Sequence, residues 1–309
     1  MPSWYAKEEQ GYFCSYSRFF RKDAGTLQQY DNLIFQMNID TTYQKLRQHI
    51  RQMKGAVVAF SGGVDSTLLT YITHQELGDN MIALTIKTPY IPDWEVEEAL
   101  LFAKEYSIRH EVIELPLPAI LIQNPPERCY LCKTEVFKTI LNRAAKYNFS
   151  SIIEGSNKDD LNDYRPGMRA LGELNIESPM LQLGITKDEI RELSRQLGLK
   201  TWDKPSYACL LSRIPYHTEI TPAELTRISQ AEQALRELNI LGSRVRSHGN
   251  IARIEVPLGQ FAEIVHSDKR VRLVEKIKAC GYLYVTLDLE GYQTGSLNKT
   301  LKTEEDHKE

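Results

Sequence analysis

Short apolar runs alternating with helical stretches of about a dozen residues constrain this chain more than any other feature of it. GAVVAF, MIALTIK, HEVIEL and SSIIEG read as four strands. Between them lie STLLTYITHQEL, DWEVEEALLFAKEYS and KTEVFKTILNRAAKYN, with a further helical stretch, TTYQKLRQHIRQMK, leading into the first strand. Strand–helix–strand units in series require right-handed crossovers, so the predicted fold is α/β with a doubly wound, mostly parallel sheet. After Pro215 the texture changes. TPAELTRISQAEQALRELNI, SRVRSHG, IARIEVP, DKRVRLVEKIKACG and YLYVTLDL read as helix, strand, strand, helix, strand, a smaller C-terminal α+β domain. The expected organisation is an extension over residues 1–40, a main domain over 41–215, the α+β domain over 216–298, and a charged, disordered tail over 299–309.

The first strand leads into Ser61-Gly62-Gly63-Val64-Asp65-Ser66, and a helix is expected from near Ser66. The space beyond the carboxyl end of a strand in an open parallel sheet is where ligands bind. Two glycines let the backbone turn its N–H groups toward an anion, Ser61 and Ser66 add hydroxyl donors, and the free amides of the next helix face the same point. The segment therefore reads as a phosphate nest. It is neither G-x-x-x-x-G-K-[ST] nor G-x-G-x-x-G. Asp65 would repel a phosphate unless it holds Mg²⁺ or positions the ligand, so it is read as an organiser. A plain strand–turn–helix corner is the bland alternative.

Five cysteines, Cys14, Cys129, Cys132, Cys209 and Cys280, are an odd number in a chain whose N-terminus lacks a secretory pattern, so reduced thiols are expected. Cys129 and Cys132 form a C-x-x-C just ahead of a helical stretch, where the helix terminus, Arg128 and Lys133 should lower thiol pKa values. The pair alone fits redox, zinc or iron–sulfur chemistry. Cys209, in the loop-like KPSYACLLSRIPY, is the third candidate, and three thiolates suit a [4Fe-4S] cluster with one iron left open. Incidental core packing is the alternative for the trio; Cys14 and Cys280 are taken as structural.

Bulk properties narrow the function classes. With 309 residues, 42% of them hydrophobic and 26% charged, the chain can bury a sizeable core. A net charge of -3 argues against a partner such as long nucleic acid, and no apolar run is long enough for a membrane span. A cytoplasmic location follows as the expectation.

S-G-G-x-D-S after an apolar strand resembles the pyrophosphate loop of the ATP-pyrophosphatase superfamily (adenine nucleotide α-hydrolase-like, PP-loop), which cleaves ATP between the α and β phosphates. The further segments NPPERCYLCK, EGSNKDDLNDYRPG, WDKPSYACLLSRIPY, SRVRSHGNIARIEVP and YVTLDLEGYQTGSLN resemble, over residues 45–300, the pyridinium-3,5-biscarboxylic acid mononucleotide sulfurtransferases, the LarE family of nickel-pincer cofactor biosynthesis. The resemblance implies ATP, Mg²⁺ and a carboxylate that is adenylated and then thiolated. Ser61, Gly62, Gly63, Asp65 and Ser66 would hold pyrophosphate, with Lys87, Gly155 and Asp160 also at the nucleotide. One version of the family sacrifices the sulfur of a lone cysteine, which aligns here with Ala208. The other carries sulfide on a [4Fe-4S] cluster, whose ligands align with Cys129, Cys132 and Cys209, and this version is the expectation. Where the last motif should carry a basic residue, this chain has Gln293.

The remaining charged residues keep two readings each. Asp159, Asp160 and Asp163 are ribose or Mg²⁺ contacts, or solvated loop acids. Arg165 and Arg169 meet a substrate phosphate or pair with those acids. Arg213, beside the third cysteine, is a catalytic or substrate-binding candidate. Arg244 and Arg246 alternate with Val245 and so share one strand face, which suits a phosphate or an exposed surface. Glu255 serves the substrate or a salt bridge. The expected partner is a small mononucleotide, with assembly as a homo-oligomer. A tRNA thiolase of the same superfamily, an amide-forming synthetase and a non-catalytic nucleotide or iron–sulfur sensor are the rivals.

Overall fold

The computed structural model describes residues 39–149, 151–162, 167–266, 268–293 and 295–298. By packing, the chain forms two units, Met1–Thr41 and Thr42–Glu309. Both sheets lie in the second. The extension expected over residues 1–40 and the tail over 299–309 lie almost wholly outside the described residues, as do Cys14, Asp163 and Arg165.

A helix over residues 39–51 (α1) leads to β1 (Ala56–Ala59). There follow α2 (Val64–Leu77), β2 (Met81–Lys87), α3 (Asp93–Glu105), β3 (His110–Glu114), α4 (Arg128–Ala144) and β4 (Ser151–Ile153). The strands form one wholly parallel sheet in the order β3-β2-β1-β4, as the alternation of strands and helices requires. β1 and β2 are buried at nearly every position, the mark of strands covered on both faces. On one face Val57, Ile82, Leu84 and Ile152 pack against Phe137, Ile140 and Ala144 of α4. Each such aliphatic contributes about 1.5–3 kcal/mol by leaving water.

Short helices α5 (Gly167–Glu173) and α6 (Pro179–Gln182) precede α7 (Lys187–Gln196). α7 opens with a full capping box: Thr186 accepts from the Glu189 amide, and the Glu189 side chain accepts from the Thr186 amide. The loop after α7 carries Cys209 and ends in a short 3-10 turn, Leu210–Arg213. The small sheet follows: α8 (Pro222–Glu237), β5 (Arg244–His248), β6 (Ile251–Glu255), α9 (Phe261–His266), α10 (Lys269–Ala279) and β7 (Tyr284–Leu287). Its order is β5-β6-β7, with β5 antiparallel and β7 parallel to β6. The expected α-β-β-α-β series thus holds, with α9 as an extra turn of helix.

One boundary differs with consequence. α4 begins at Arg128, five residues earlier than the helical stretch beginning at Lys133 suggests, because Pro125 and Pro126 end the preceding loop and the chain then turns directly into helix. Cys129 and Cys132 are therefore inside the first turns of α4, at i and i+3 on one face.

Candidate active site

β1 ends at Ala59, and the chain must reverse sharply to start α2 at Val64. Gly62 makes this possible with φ +72°, and a Cβ there would approach Ala99 Cβ to 3.2 Å and Glu95 O to 3.3 Å. Ser61 and Ser66 close the loop on itself. Their hydroxyls lie 3.0 Å apart, the Ser61 amide donates to Ser66 Oγ, and Ser66 Oγ donates to Gly63 O. At the neighbouring strand end Gly155 meets the first turn of α2 so closely that a Cβ would lie 2.9 Å from Ser66 N. The loop's own hydrogen bonds and close packing thus define its geometry, which is what preorganised anion binding needs.

A cleft of about 320 Å³ opens over this loop. Ser61, Gly63, Asp65, Ser66, Gly155 and Asp160 form its polar end; Leu84, Ile86, Val136 and Phe137 form its apolar end. Such a two-ended cavity suits a nucleoside phosphate. Cys132 and Lys133 of α4 are also in its wall. A second cavity of about 170 Å³ shares Ser61, Gly63, Asp65 and Glu95 with the first and is completed by Lys187 and Lys204.

Asp65 does not stand free. Lys187 Nζ is 2.5 Å from Asp65 Oδ2, and Asn157 Nδ2 donates to Asp65 Oδ1 at 3.2 Å. Asp160 and Asp159 brace the approach: Asp160 accepts from the Asn157 amide, and Asp159 accepts from the Lys187 amide. Lys204 Nζ donates to Gly62 O at 2.8 Å and pairs with Glu98 at 2.6 Å, tying the Cys209 loop to the phosphate loop and α3. Lys87 lies outside the cleft. It pairs with Asp93 at 3.0 Å and faces a separate groove, because it is the last residue of β2 and its side chain leaves the sheet on the α3 side.

Glu95 sits between the two cavities. Burial pushes its carboxyl up to about 7, against the charges of Lys204 and Arg213, which pull it down. A raised carboxyl binds protons in the folded chain that the unfolded chain has lost. Stability contributed by the neutral form therefore falls as pH rises from about 4.5 to about 7. Glu95→Gln should flatten that decline in thermal midpoint against pH; an unchanged profile would refute it.

Cys129 and Cys132 stand about one turn apart near the start of α4. Tyr90 OH lies 3.2 Å from Cys132 Sγ, and Cys132 and Cys209 pack against one apolar cluster with Tyr90, Leu210 and Leu211. The expected lowering of thiol pKa values in the C-x-x-C pair is corrected here for Cys132. Burial pushes Cys132 up to about 12 and raises Cys209 as well, outweighing Lys133 at the first and Arg128 and Arg213 at the second. Among the described residues no group of three or more His, Cys, Asp or Glu is assembled in metal-holding geometry. In type and number the donors still fit a soft metal centre: three thiols beside three cations, where a bound metal would favour the thiolate against the burial that opposes it. Cys280 caps α10 and packs on the core of the small sheet, as a structural thiol should.

Arg213 is 1% exposed and spends its donors inside the protein. It forms a double hydrogen bond to Glu232 at 2.7 and 3.0 Å and donates to Ala208 O, Cys209 O and Ser212 Oγ. It is thus placed to position the Cys209 loop, with its guanidinium committed to internal partners rather than presented for the catalytic or substrate-binding role expected from its place in the sequence. Arg244 and Arg246 do share one face of β5, but that face is buried against the same loop. Arg244 donates to Ser206 O and stacks on Tyr207 and Tyr292; Arg246 donates to Ser212 O and pairs with Glu255 at 2.7 Å. Arg246 Nε, buried, has no hydrogen-bond partner. Glu255 has salt-bridge duty, to Arg246 and Arg253, and accepts from Ser296. Arg169 is elsewhere, on α5, exposed, paired with Glu173 and stacked 3.7 Å over Tyr130.

The NAD synthase family matches residues 38–152, the span of the parallel sheet. Pyridinium-3,5-bisthiocarboxylic acid mononucleotide synthase of Lactiplantibacillus plantarum is 32% identical over 255 residues, covering 82% of this chain and 92% of that protein. The chain belongs to that synthase's family, LarE. Two further relatives are the uncharacterized proteins slr1717 of Synechocystis sp., 42% identical over 85% of this chain and 99% of its own, and MJ0830 of Methanocaldococcus jannaschii, 34% identical over 81% and 96%. LarE membership and the PP-loop fold make this an ATP-using enzyme, with Mg²⁺ accompanying the nucleotide. No helix among the described residues is long and apolar enough to cross a membrane.

Lys187, Asn157, Lys204 and Glu95 are site residues that motif reading does not single out. Lys204 and Asn157 stand within quoted motifs, but Lys187 opens an ordinary charged helix and carries no local signal.

Proposed function

We propose that the protein adenylates a carboxylate of a pyridinium mononucleotide with ATP and replaces the AMP by sulfur, giving the thiocarboxylate used in nickel-pincer cofactor biosynthesis. One observation carries the reading: the cleft over the phosphate loop has Cys132 in its wall, and Cys132 packs with Cys209 on one apolar cluster. The place where an adenylate would form thus adjoins the Cys132 thiol.

A carboxylate oxygen attacks the α-phosphorus, the α–β bridging bond breaks, and pyrophosphate leaves. Ser61, Gly62, Gly63 and Ser66 would hold the departing phosphates, Asp65 the Mg²⁺, and Gly155 and Asp160 the nucleotide's other side. Cys129, Cys132 and Cys209 would hold a [4Fe-4S] cluster, which when bound supplies a nucleophilic sulfide at its protein-free iron. Arg213 keeps the Cys209 backbone in place. Arg244 and Arg246 would offer positive charge to the mononucleotide phosphate from the small sheet, and the unpartnered Arg246 Nε supports this. In this division residues 41–215 serve ATP and sulfur, and residues 216–298 serve substrate and homo-oligomer contacts.

The test uses protein reconstituted without oxygen, with ATP, Mg²⁺, sulfide and the dicarboxylated pyridinium mononucleotide. Pyrophosphate, AMP and thiocarboxylate should form together, and about four irons should bind per chain. Pyrophosphate release that depends on tRNA instead would defeat the assignment of substrate; absence of iron after reconstitution would defeat the cluster.

A further inference from the structure

A tyrosine buried in an apolar cluster carries a cost that phenylalanine would not, because its hydroxyl must leave water. Tyr90 is 2% exposed and packs among Leu121, Leu210, Leu211 and Leu225. Its hydroxyl lies 3.2 Å from Cys132 Sγ. Sulfur in a neutral thiol is a weak donor and a weak acceptor, so this contact returns little of the desolvation cost. A metal-bound sulfur is different. It has lost its proton and carries negative charge, so it can only accept, and a charge-assisted hydrogen bond is roughly twice as strong as a neutral one. The phenol, protonated at neutral pH, is the matching donor.

The backbone of the same residue reaches the other thiol segment. Tyr90 stands in a tight turn just after β2, closed by the Ile91 amide donating to Thr88 O at 3.1 Å, with Pro89 inside the turn. Its carbonyl oxygen accepts from the amide of Leu210, the residue after Cys209, at 2.9 Å. β2 is an inner strand of the parallel sheet, so the turn is set on a rigid base. Hydroxyl and carbonyl of one residue thus join α4 at Cys132 to the loop at Cys209. Resting on the cluster reading, we infer that Tyr90 is a positioning residue of the thiol site. Its hydroxyl donates to the Cys132 sulfur once that sulfur is metal-bound, and its carbonyl fixes the backbone beside Cys209. Donors of this kind, standing behind the metal ligands, orient them and tune the metal.

Tyr90→Phe keeps the ring and the carbonyl and removes the hydroxyl alone. Co²⁺ titrated without oxygen into the full chain reports thiolate binding through a sulfur-to-metal charge-transfer absorption. In Tyr90→Phe the cobalt affinity should fall by about tenfold or more and the absorption should move. In protein reconstituted with iron and sulfide, the cluster's reduction potential should fall, because a hydrogen bond to a ligating sulfur favours the reduced state. The metal-free variant should keep the urea midpoint of the unaltered protein. A fall in that midpoint with cobalt affinity and absorption unchanged marks a packing role and overturns the inference. So does the lack of any thiolate–cobalt absorption in the unaltered protein. A cluster that assembles in Tyr90→Phe with an unchanged potential also overturns it, and leaves the cluster reading standing. The cobalt effect in a protein that assembles no iron cluster does the reverse: Tyr90 keeps its role and the cluster reading falls.

Discussion

Replacing Arg213 with methionine should cost the fold about 3–5 kcal/mol, the usual penalty for removing one partner of a buried ion pair. Arg213 and Glu232 are 1% and 4% exposed and meet through two hydrogen bonds. Without the guanidinium, Glu232 keeps only the Val245 amide, at 3.0 Å, as a described donor, and Ala208 O loses its donor, while Cys209 O keeps the Ser212 amide and hydroxyl. Burial pushes the Glu232 carboxyl up, but Arg213 outweighs it, and the net shift is downward from 4.5. The pair's contribution is therefore present above about pH 4.5 and is lost as pH falls through the depressed folded value. In Arg213→Met the buried carboxyl should take up a proton instead, so the gap from the unaltered protein should narrow toward acid. Urea denaturation at neutral and acidic pH reads both effects. Arg213→Met combined with Glu232→Met should recover part of the loss, since an apolar replacement of the whole pair leaves no orphaned charge. A single variant within about 1 kcal/mol of the unaltered protein would show that the pair is not what holds the loop.

Cys209→Ala should separate the two halves of the reaction. Pyrophosphate release, which depends on the phosphate loop, should persist, while thiocarboxylate disappears. Asp65→Ala should do the opposite at the earlier step and reduce pyrophosphate release by about a hundredfold or more, the scale of losing a preorganised electrostatic group. A quench assay following pyrophosphate and thiocarboxylate in the same sample distinguishes the two variants. Undiminished thiocarboxylate in Cys209→Ala would remove that thiol from sulfur delivery, and full activity in Asp65→Ala would remove the carboxylate from adenylation.

The parallel sheet is legible in the sequence because its strands are covered on both faces and read as unbroken apolar runs, MIALTIK above all, which is β2 residue for residue. The phosphate loop is legible because its glycines, serines and aspartate are contiguous. The rest of the site is assembled across long stretches of chain. Lys187 reaches Asp65 over 122 residues, Lys204 reaches Gly62 over 142, and Asn157 reaches Asp65 over 92. No periodicity encodes such pairings. The alternation of Arg244 and Arg246 correctly places both on one face of β5. It does not say whether that face meets water, a ligand or the Cys209 loop, since an arginine on a strand has the same local signature in each setting. Thiol acidity fails to follow from neighbouring cations for a similar reason: Arg128 and Lys133 are visible in the sequence, whereas the burial that overrides them at Cys132 and Cys209 is not.

Cys129 and Cys132 ride on a helix that packs on the parallel sheet, while the loop carrying Cys209 is held at Ser206, Cys209 and Ser212 by the guanidinium groups of Arg244, Arg213 and Arg246, which are anchored in the small sheet and its helix. A chain whose two sheets have not yet closed on each other presents a pair of thiols and a single one, at no fixed separation. Only the finished fold packs Cys209 on the same apolar cluster as Cys132. If these thiols hold a cluster, as proposed, completion of folding is a checkpoint that precedes its binding.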